Sequence, residues 1–233
     1  MHTIAVIPAR GGSTRIPHKN IKEFAGRPLI AYPIQAALES ELFDKVVVST
    51  DDEEIAEVAR KYGAEIPFMR EKSLADNYTG TGPVVADAYK RIKDAGTPID
   101  YVACIYATAP LLTAKYLKEG FEFFLKEKAD YLYACCEFSF PIQRAQYLDS
   151  NGSPYPVMPQ CMSKRSQDLP KAYQDCGLFY FHTPRTLVAD GSKTPIISRG
   201  FVMPRHRVID IDTREDWDYA QAMFRAVNEL KLD

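Results

Sequence analysis

The segment Ile7 to Asn20, which reads IPARGGSTRIPHKN, combines adjacent glycines with four basic residues and contains no acidic side chain. Glycine-rich backbone can present a nest of N–H groups to an oxyanion, and cations can add charge-assisted hydrogen bonds to phosphate. The groups available for this are the backbone of Gly11, Gly12 and Ser13 and the side chains of Arg10, Arg15 and Lys19. Neither the Walker A pattern nor G-x-G-x-x-G is present. The segment therefore predicts another kind of phosphate site, with a solvated surface loop as the alternative.

Two aspartates near the carboxyl end of the sequence form a second candidate group. In VIDIDTREDW, Asp210 and Asp212 are two residues apart, so an extended backbone would place both carboxylates on one face. Carboxylate oxygens near a triphosphate suit Mg²⁺, a hard cation. Alternatively, Asp212 or Thr213 caps the following helix and Asp216 completes a capping box. Both can hold, since Asp212 can bind metal while Thr213 caps.

Three further polar segments follow predicted strands or precede helices. In VSTDDEEIAE, Thr50 or Asp51 is expected to be a helix N-cap rather than a ligand-binding group. The segment 74–83, LADNYTGTGP, can bind a ligand through hydroxyls and backbone or form an ordinary turn. The small residues of 106–113, YATAPLLT, permit close approach to a ring or sugar, or form a tight strand-to-helix turn.

These groups must be positioned by an alternation of strands and helices. Continuous apolar runs predict buried strands at 3–9, 45–50, 101–107 and 130–136, and later strands are predicted at 176–182 and 206–211. Helical patterns cover 29–40, 52–63, 83–96, 114–128 and 214–230. The alternation predicts an α/β fold with a doubly wound, mostly parallel sheet and helices on both faces. Ligands of such folds bind at the carboxyl ends of the strands.

The regular pattern is interrupted between residues 137 and 172. This segment contains five prolines and scattered polar residues, which predicts short strands or turns rather than another βα unit. We therefore predict an α/β domain formed by residues 1–136 and 173–233, with 137–172 as an insertion.

Composition restricts the function classes. The chain has 233 residues and a formal net charge of -2, which argues against general nucleic-acid binding. No apolar run approaches the ~20 residues that span a bilayer, and the N-terminus does not resemble a signal peptide. Five cysteines without a C-x-x-C pair suggest neither a disulfide framework nor a zinc site. These features predict a cytoplasmic protein without a membrane partner.

The residues alone describe a nucleotide-handling α/β enzyme but do not name its reaction. In order, IPARGGSTRIPHKN, LIAYPIQAAL, FDKVVVSTDDEEIAEVARKYGAE and VIDIDTREDW resemble the blocks of the CMP-sialic acid synthetase family of cytidylyltransferases. The blocks LADNYTGTGPVVADA and CIYATAPLLT resemble the pseudaminic acid branch of that family. The similarity extends from Ile4 to about Glu229.

The resemblance implies a nucleotidyltransferase Rossmann-like fold and a reaction. CTP and a nonulosonic acid, here pseudaminic acid, would give the CMP-sugar and pyrophosphate with Mg²⁺, in a homodimer paired through the insertion. The resemblance implies phosphate contacts and catalytic roles for Arg10 and Lys19, and metal binding by Asp210 and Asp212, of which Asp212 is also catalytic. The predicted nucleotide-binding residues are Ala9, Arg10, Gly11, Gly12, Ser13, Arg15, Lys19, Asn20, Arg70 and Thr81. The predicted sugar-binding residues are Tyr106, Thr108 and Gln174.

The chain departs from the family pattern at two positions. Thr14 replaces a lysine of the phosphate loop, so Arg15 is the candidate to supply that cation. Tyr106 stands where the sialic acid branch often has glutamine, which favours a different nonulosonic acid. The alternatives are a CMP-N-acetylneuraminate or CMP-legionaminate synthetase, or a nucleotide-binding regulator without catalysis. Thr14 favours the regulator, and the intact Asp210/Asp212 pair argues against it.

Overall fold

The computed structural model of the chain describes residues 1–188 and 194–232. Its strands are β1 (Thr3–Pro8), β2 (Glu23–Phe24), β3 (Arg27–Pro28), β4 (Lys45–Ser49), β5 (Tyr101–Ile105), β6 (Tyr131–Glu137), β7 (Gln146–Leu148), β8 (Pro154–Pro156), β9 (Tyr173–His182) and β10 (Ser198–Val202). Its α-helices are α1 (Ala31–Glu39), α2 (Glu53–Lys61), α3 (Thr81–Asp94), α4 (Ala114–Lys126) and α5 (Arg214–Leu230).

The central sheet has six strands in the order β10-β6-β9-β5-β1-β4. Strand β1 pairs in parallel with β4 and β5, and β10 pairs in parallel with β6. Strand β9 lies between β5 and β6 and is antiparallel to both. Five of the six strands therefore share one direction, and the prediction of a mostly parallel sheet is confirmed.

Helices cover both faces of this sheet, as predicted. Alternate residues of β1 face opposite sides, so Ala5 packs with α1, α2 and α4, whereas Val6 packs with α3. Both residues are fully buried, which explains the continuous apolar sequence of this strand. Helix α5 belongs to a separate apolar cluster, in which Trp217 makes an edge-to-face contact with Phe24 of the β2–β3 hairpin.

The helix caps differ in part from the predictions. The side chain of Asp52 accepts hydrogen bonds from the backbone of Glu54 and Ile55 and is the N-cap of α2. The prediction of Thr50 or Asp51 as this cap was wrong by one or two residues. Thr50 instead accepts a hydrogen bond from the Asp52 backbone, 3.1 Å away. At α5, Thr213 and Asp216 form the predicted capping box.

The predicted strand at 206–211 was wrong. The outer strand of the sheet is β10 at Ser198–Val202, and residues 205–207 form a 3₁₀ turn followed by a segment outside the ladders. Ile209 and Ile211 pack instead against Trp217 of α5. The alternating apolar residues Ile209 and Ile211, which led to the prediction of a strand, therefore serve to pack against a helix.

Residues 137–172 contain short pieces of structure rather than a βα unit. Strands β7 and β8 form a small antiparallel hairpin, and three 3₁₀ turns surround it. Several apolar side chains of this segment are exposed, among them Phe140, Tyr147 and Leu148. In the part of the chain that the structure describes, no helix has the length and apolarity required to cross a membrane.

Candidate active site

A cleft lies beyond the carboxyl ends of β1 and β5, where the sequence predicted ligand binding. The segment that follows β1 (residues 9–20, named the phosphate loop after its predicted ligand), the start of α3, the end of β5 and the segment before α5 meet there. Its lining residues are Pro8, Arg10, Ser13, Thr14, Arg15, Ile16, Lys19, Asn20, Thr81, Tyr106, Ala107, Thr108, Asp210 and Asp212.

The phosphate loop is tied to the start of α2. The backbone N–H of Gly11 donates to Oδ1 of Asp51 at 3.0 Å. A Cβ atom at Gly11 would lie only 2.5 Å from Oδ2 of Asp52, so this position requires glycine. Asn20 is buried, and its side-chain amide donates to the carbonyl of Arg10 at 3.0 Å. These contacts fix the path of the loop.

Two cations of the same loop, Lys19 and Arg15, contact Asp212. Nζ of Lys19 donates to the carbonyl of Ile211 at 2.6 Å and lies 3.4 Å from Oδ1 of Asp212. The guanidinium of Arg15 lies 2.8 Å from the same carboxylate oxygen. Lys19 and Arg15 therefore balance the charge of Asp212 and join the loop to the segment before α5.

Asp210 has a different environment. Its carboxylate makes no hydrogen bond or ion pair with the residues at 1–188 and 194–232, and it remains accessible to solvent. Partial burial, followed by the negative charge of Asp212, raises the pKa of Asp210 above its usual value. A cation held by these two carboxylates would favour the ionised form of Asp210.

The two aspartates fit a magnesium ion better than a metal held by protein groups alone. Within the described ranges, no group of three or more His, Cys, Asp or Glu side chains is arranged to hold a metal. Mg²⁺ usually binds through one or two carboxylates together with substrate phosphates and waters. Asp210 and Asp212 supply that carboxylate set, beside a loop suited to phosphate.

Arg10 is held by a part of the chain that the sequence analysis did not assign to it. Its Nη1 donates to the carbonyl of Asp76 at 2.6 Å and to Oδ1 of Asn77 at 2.7 Å. These residues belong to the polar segment 74–83, for which the sequence predicted ligand binding through hydroxyls and backbone or an ordinary turn. The contact with Arg10 carries no local signal, because the acceptor at Asp76 is its backbone carbonyl.

The opposite wall of the cleft presents hydroxyl groups. Thr81, the first residue of α3, has its Oγ1 atom 3.3 Å from the hydroxyl of Tyr106. Thr108 follows Tyr106 and also lines the cleft. The cleft thus has a cationic wall, a pair of carboxylates and a wall of hydroxyls, which suits a phosphorylated ligand that also carries polar hydroxyl or amide groups.

The comparisons with known proteins agree with this geometry. The model of the cytidylyltransferase family matches residues 4–182. The chain belongs to the cytidylyltransferase family. It is 45% identical over 98% of its length to the pseudaminic acid cytidylyltransferase of Campylobacter jejuni, 99% of which is covered. It is 29% identical to the CMP-N,N'-diacetyllegionaminic acid synthase of Legionella pneumophila, with 98% of this chain and 99% of that protein covered.

A solved structure shows the same fold. CMP:2-keto-3-deoxy-manno-octonic acid synthetase, solved in complex with CTP, superposes with a TM-score of 0.70 at 16% identity. The match covers 97% of this chain and 99% of that one. The predicted family and the nucleotidyltransferase-like fold are both confirmed.

Most of the predicted site residues of this cytidylyltransferase meet in the cleft. Those that line it are Arg10, Ser13, Arg15, Lys19, Asn20, Thr81, Tyr106, Thr108, Asp210 and Asp212. Thr14, noted only as a departure from the family pattern, also lines it, as do Pro8, Ile16 and Ala107. Pro8, Ile16 and Ala107 were missed because apolar side chains have no reactive or charged group that would mark them as site residues in a sequence.

Five predicted residues do not line the cleft. Ala9 is buried and donates its N–H to the carbonyl of Ser49, while Gly11 and Gly12 belong to the same loop but are not among the lining residues. Arg70 is also buried, where it donates to Oγ and to the carbonyl of Ser49, and burial lowers its pKa. Gln174 lies in a separate groove beside Cys136.

Proposed function

We propose that this cytidylyltransferase transfers the cytidylyl group of CTP to pseudaminic acid, giving CMP-pseudaminic acid and pyrophosphate. The observation that carries the proposal is the higher identity, across nearly the whole chain, to the pseudaminic acid enzyme than to the legionaminic acid enzyme. The cleft supports it, since its cations and hydroxyls suit a triphosphate and a polar sugar.

In this reaction the anomeric hydroxyl of the sugar attacks the α-phosphorus of CTP. The bond from that phosphorus to the bridging oxygen breaks, pyrophosphate leaves with the electron pair, and the proton of the attacking hydroxyl is released to water. The protein's contribution is to orient the reactants and to neutralise the triphosphate. We assign the phosphate contacts to Arg10, Arg15 and Lys19 and to the backbone of the loop. The amine of Lys19 is oriented by two groups of the segment before α5, the carbonyl of Ile211 and the carboxylate of Asp212.

The remaining residues divide between the two substrates. We assign Asn20 and Thr81 to the nucleoside and Tyr106 and Thr108 to the sugar. Gln174 would meet the sugar only where it extends into the neighbouring groove.

We also propose that Asp210 and Asp212 hold Mg²⁺. When bound, the ion would neutralise triphosphate charge and act as a Lewis acid on a phosphoryl oxygen. Asp212→Ala should then abolish most Mg²⁺-dependent turnover. It should also weaken Mg²⁺ binding, measured by calorimetric titration of Mg²⁺ into the protein in the presence of a non-hydrolysable CTP analogue. Undiminished binding and turnover would exclude the role.

A substrate panel tests the main proposal. The protein is incubated with CTP, Mg²⁺ and each of four nonulosonic acids, and pyrophosphate release is measured. Pseudaminic acid should give the highest kcat/KM. Faster turnover of N-acetylneuraminic, legionaminic or 3-deoxy-manno-octulosonic acid would overturn the assignment. CTP binding without turnover of any acid would instead support the regulatory alternative.

We further propose that the protein forms a homodimer through residues 137–172 and acts in the cytoplasm. The exposed side chains of Phe140, Tyr147 and Leu148 give this segment an apolar surface, which is typical of interaction sites. Free buried thiols at all five cysteines suit a reducing compartment. Light scattering should give twice the chain mass of 26.3 kDa. Tyr147→Asp with Leu148→Asp should shift the protein to monomer, and an unchanged dimer would rule out this surface.

A further inference from the structure

One nitrogen of the Arg10 guanidinium is held by the chain and the other two are not. Nη1 carries two N–H groups and donates to two acceptors, the carbonyl of Asp76 at 2.6 Å and Oδ1 of Asn77 at 2.7 Å. Among residues 1–188 and 194–232, neither Nε nor Nη2 of Arg10 makes a hydrogen bond or an ion pair. Arg10 lines the cleft, whereas Asp76 and Asn77 are not among its lining residues. The segment at 76–77 therefore holds Nη1 and leaves Nε and Nη2 for a ligand.

These two remaining nitrogens form an edge that can recognise phosphate. A guanidinium is planar and presents its N–H groups in a rigid fork, so the N–H groups of Nε and Nη2 point in nearly parallel directions. Such an edge matches two oxygens of one phosphate group, and both hydrogen bonds are charge-assisted. Because the group is rigid, the two bonds made by Nη1 also fix the direction in which this edge faces.

The segment that holds the guanidinium is itself stabilised by a turn. Oδ1 of Asp76 accepts the backbone N–H groups of the residues two and three positions later, at 2.9 and 2.6 Å. Thr81 then begins α3, and its Oγ1 atom lies 3.3 Å from the hydroxyl of Tyr106 on the other wall of the cleft. The segment is thus connected to the phosphate loop at one end and to the end of β5 at the other. This arrangement can hold the amide of Asn77 in place although the residue is exposed.

We propose that Asn77 is a positioning residue for Arg10 and directs the Nε and Nη2 edge of its guanidinium toward the phosphates of CTP. The inference rests on the proposed function, in which CTP is the nucleotide substrate. Arg10 is the group that contacts the phosphate, and Asn77 acts through it. Of the two acceptors at Nη1, the carbonyl of Asp76 belongs to the backbone, so the amide oxygen of Asn77 is the one that a substitution can remove.

Calorimetric titration with CTP, in the absence of a sugar acid, tests the proposal. Asn77→Leu keeps the approximate size of the side chain and removes the acceptor, so it should weaken CTP binding about fivefold, within the usual range for one hydrogen bond. Asn77→Asp keeps an acceptor oxygen and should stay within about twofold of wild type. Tyr78→Leu is the matched control, because that neighbouring side chain is 95% exposed, and it should leave the Kd unchanged. Equal weakening by Tyr78→Leu, or tighter binding by Asn77→Leu, would overturn the proposal.

The decisive comparison is made in an Arg10→Met background. There, Asn77→Leu should cause no further loss of CTP affinity, because the group that it positions is absent. An equal loss in both backgrounds, or no loss in either, would show that Asn77 does not act through Arg10.

A second measurement needs no ligand. The two hydrogen bonds made by Nη1 slow the rotation of the Arg10 guanidinium about its Cζ–Nε bond, and ¹⁵N exchange spectroscopy measures the rate of that rotation. The rotation should be faster in Asn77→Leu than in wild type, whereas an unchanged rate would refute the contact. If no nonulosonic acid reacts, the proposed function fails, while the CTP titrations and the rotation rate still decide this inference. A wild-type protein that does not bind CTP would overturn both.

Discussion

Lys19 offers a sharp test of how the phosphate loop works. Its side chain is 17% exposed and its amine donates to the carbonyl of Ile211, so the side chain cannot turn away into solvent without losing that bond. Lys19→Met keeps the length and apolar stem of the side chain and removes only the ammonium group. The substitution therefore separates charge from packing.

The size of the effect follows from the position of the amine. At an effective dielectric constant of about 20, two unit charges 4 Å apart interact by about 4 kcal/mol. The amine already interacts with Asp212 at 3.4 Å, so part of this energy is compensated before CTP binds. A net loss of about 1.5–3 kcal/mol, the usual range for hydrogen bonds to charged groups, corresponds to a 10- to 150-fold lower kcat/KM for CTP.

The assay measures pyrophosphate release at varied CTP and saturating sugar acid. Lys22→Met is the matched control, since Lys22 belongs to the same loop region but lies over the ring of Trp217 and outside the cleft lining. It should keep kcat/KM within about twofold. A Lys19→Met enzyme with a similarly small change, at unaltered thermal stability, would refute the role of the ammonium group in phosphate binding.

Three further predictions concern the loop and the sheet. Arg15→Gln should lower kcat/KM for CTP by only about threefold, since its side chain is 64% exposed and solvent screens its charge; a loss as large as that of Lys19→Met would contradict this. Gly11→Ala should destabilise the fold by about 1 kcal/mol or more in urea titrations, because the new Cβ displaces the Asp52 cap, whereas Gly12→Ala meets no atom within 4 Å and should be nearly neutral. Burial lowers the pKa of His182 from 6.5 to about 4, so the unfolded chain takes up a proton in that window and the folded chain does not. The stability of wild type relative to His182→Gln should therefore fall by about 3 kcal/mol from pH 7 to pH 4, and parallel curves would exclude this.

Much of the fold was predictable because buried strands consist of apolar residues, which are visible in the sequence. Strands β1, β4 and β5 are apolar on both faces, and helix α2 begins with acids and ends with bases. The bounds of helix α5 were predicted correctly, because the capping-box residues Thr213 and Asp216 mark its start in the sequence. Strand β10 was missed because it is an edge strand whose residues are exposed or only partly buried.

The site was less predictable than the fold, because its geometry depends on contacts between distant parts of the chain. The cations of the loop were visible, but nothing local indicates that Arg10 is held by Asp76 and Asn77. Sequence reasoning therefore identified residues that line the cleft better than it identified the residues that hold them in place.

Asp210 and Asp212 lie together in the cleft, as predicted, although the structural reason given for it was wrong. The prediction placed Asp210 and Asp212 on one face of a strand, yet this segment joins no ladder. Alternate residues still point the same way, because Ile209 and Ile211 are anchored against α5 on the other side. The carbonyl of Ile211 in turn accepts the amine of Lys19. The packing of α5 therefore positions both the aspartates and the lysine.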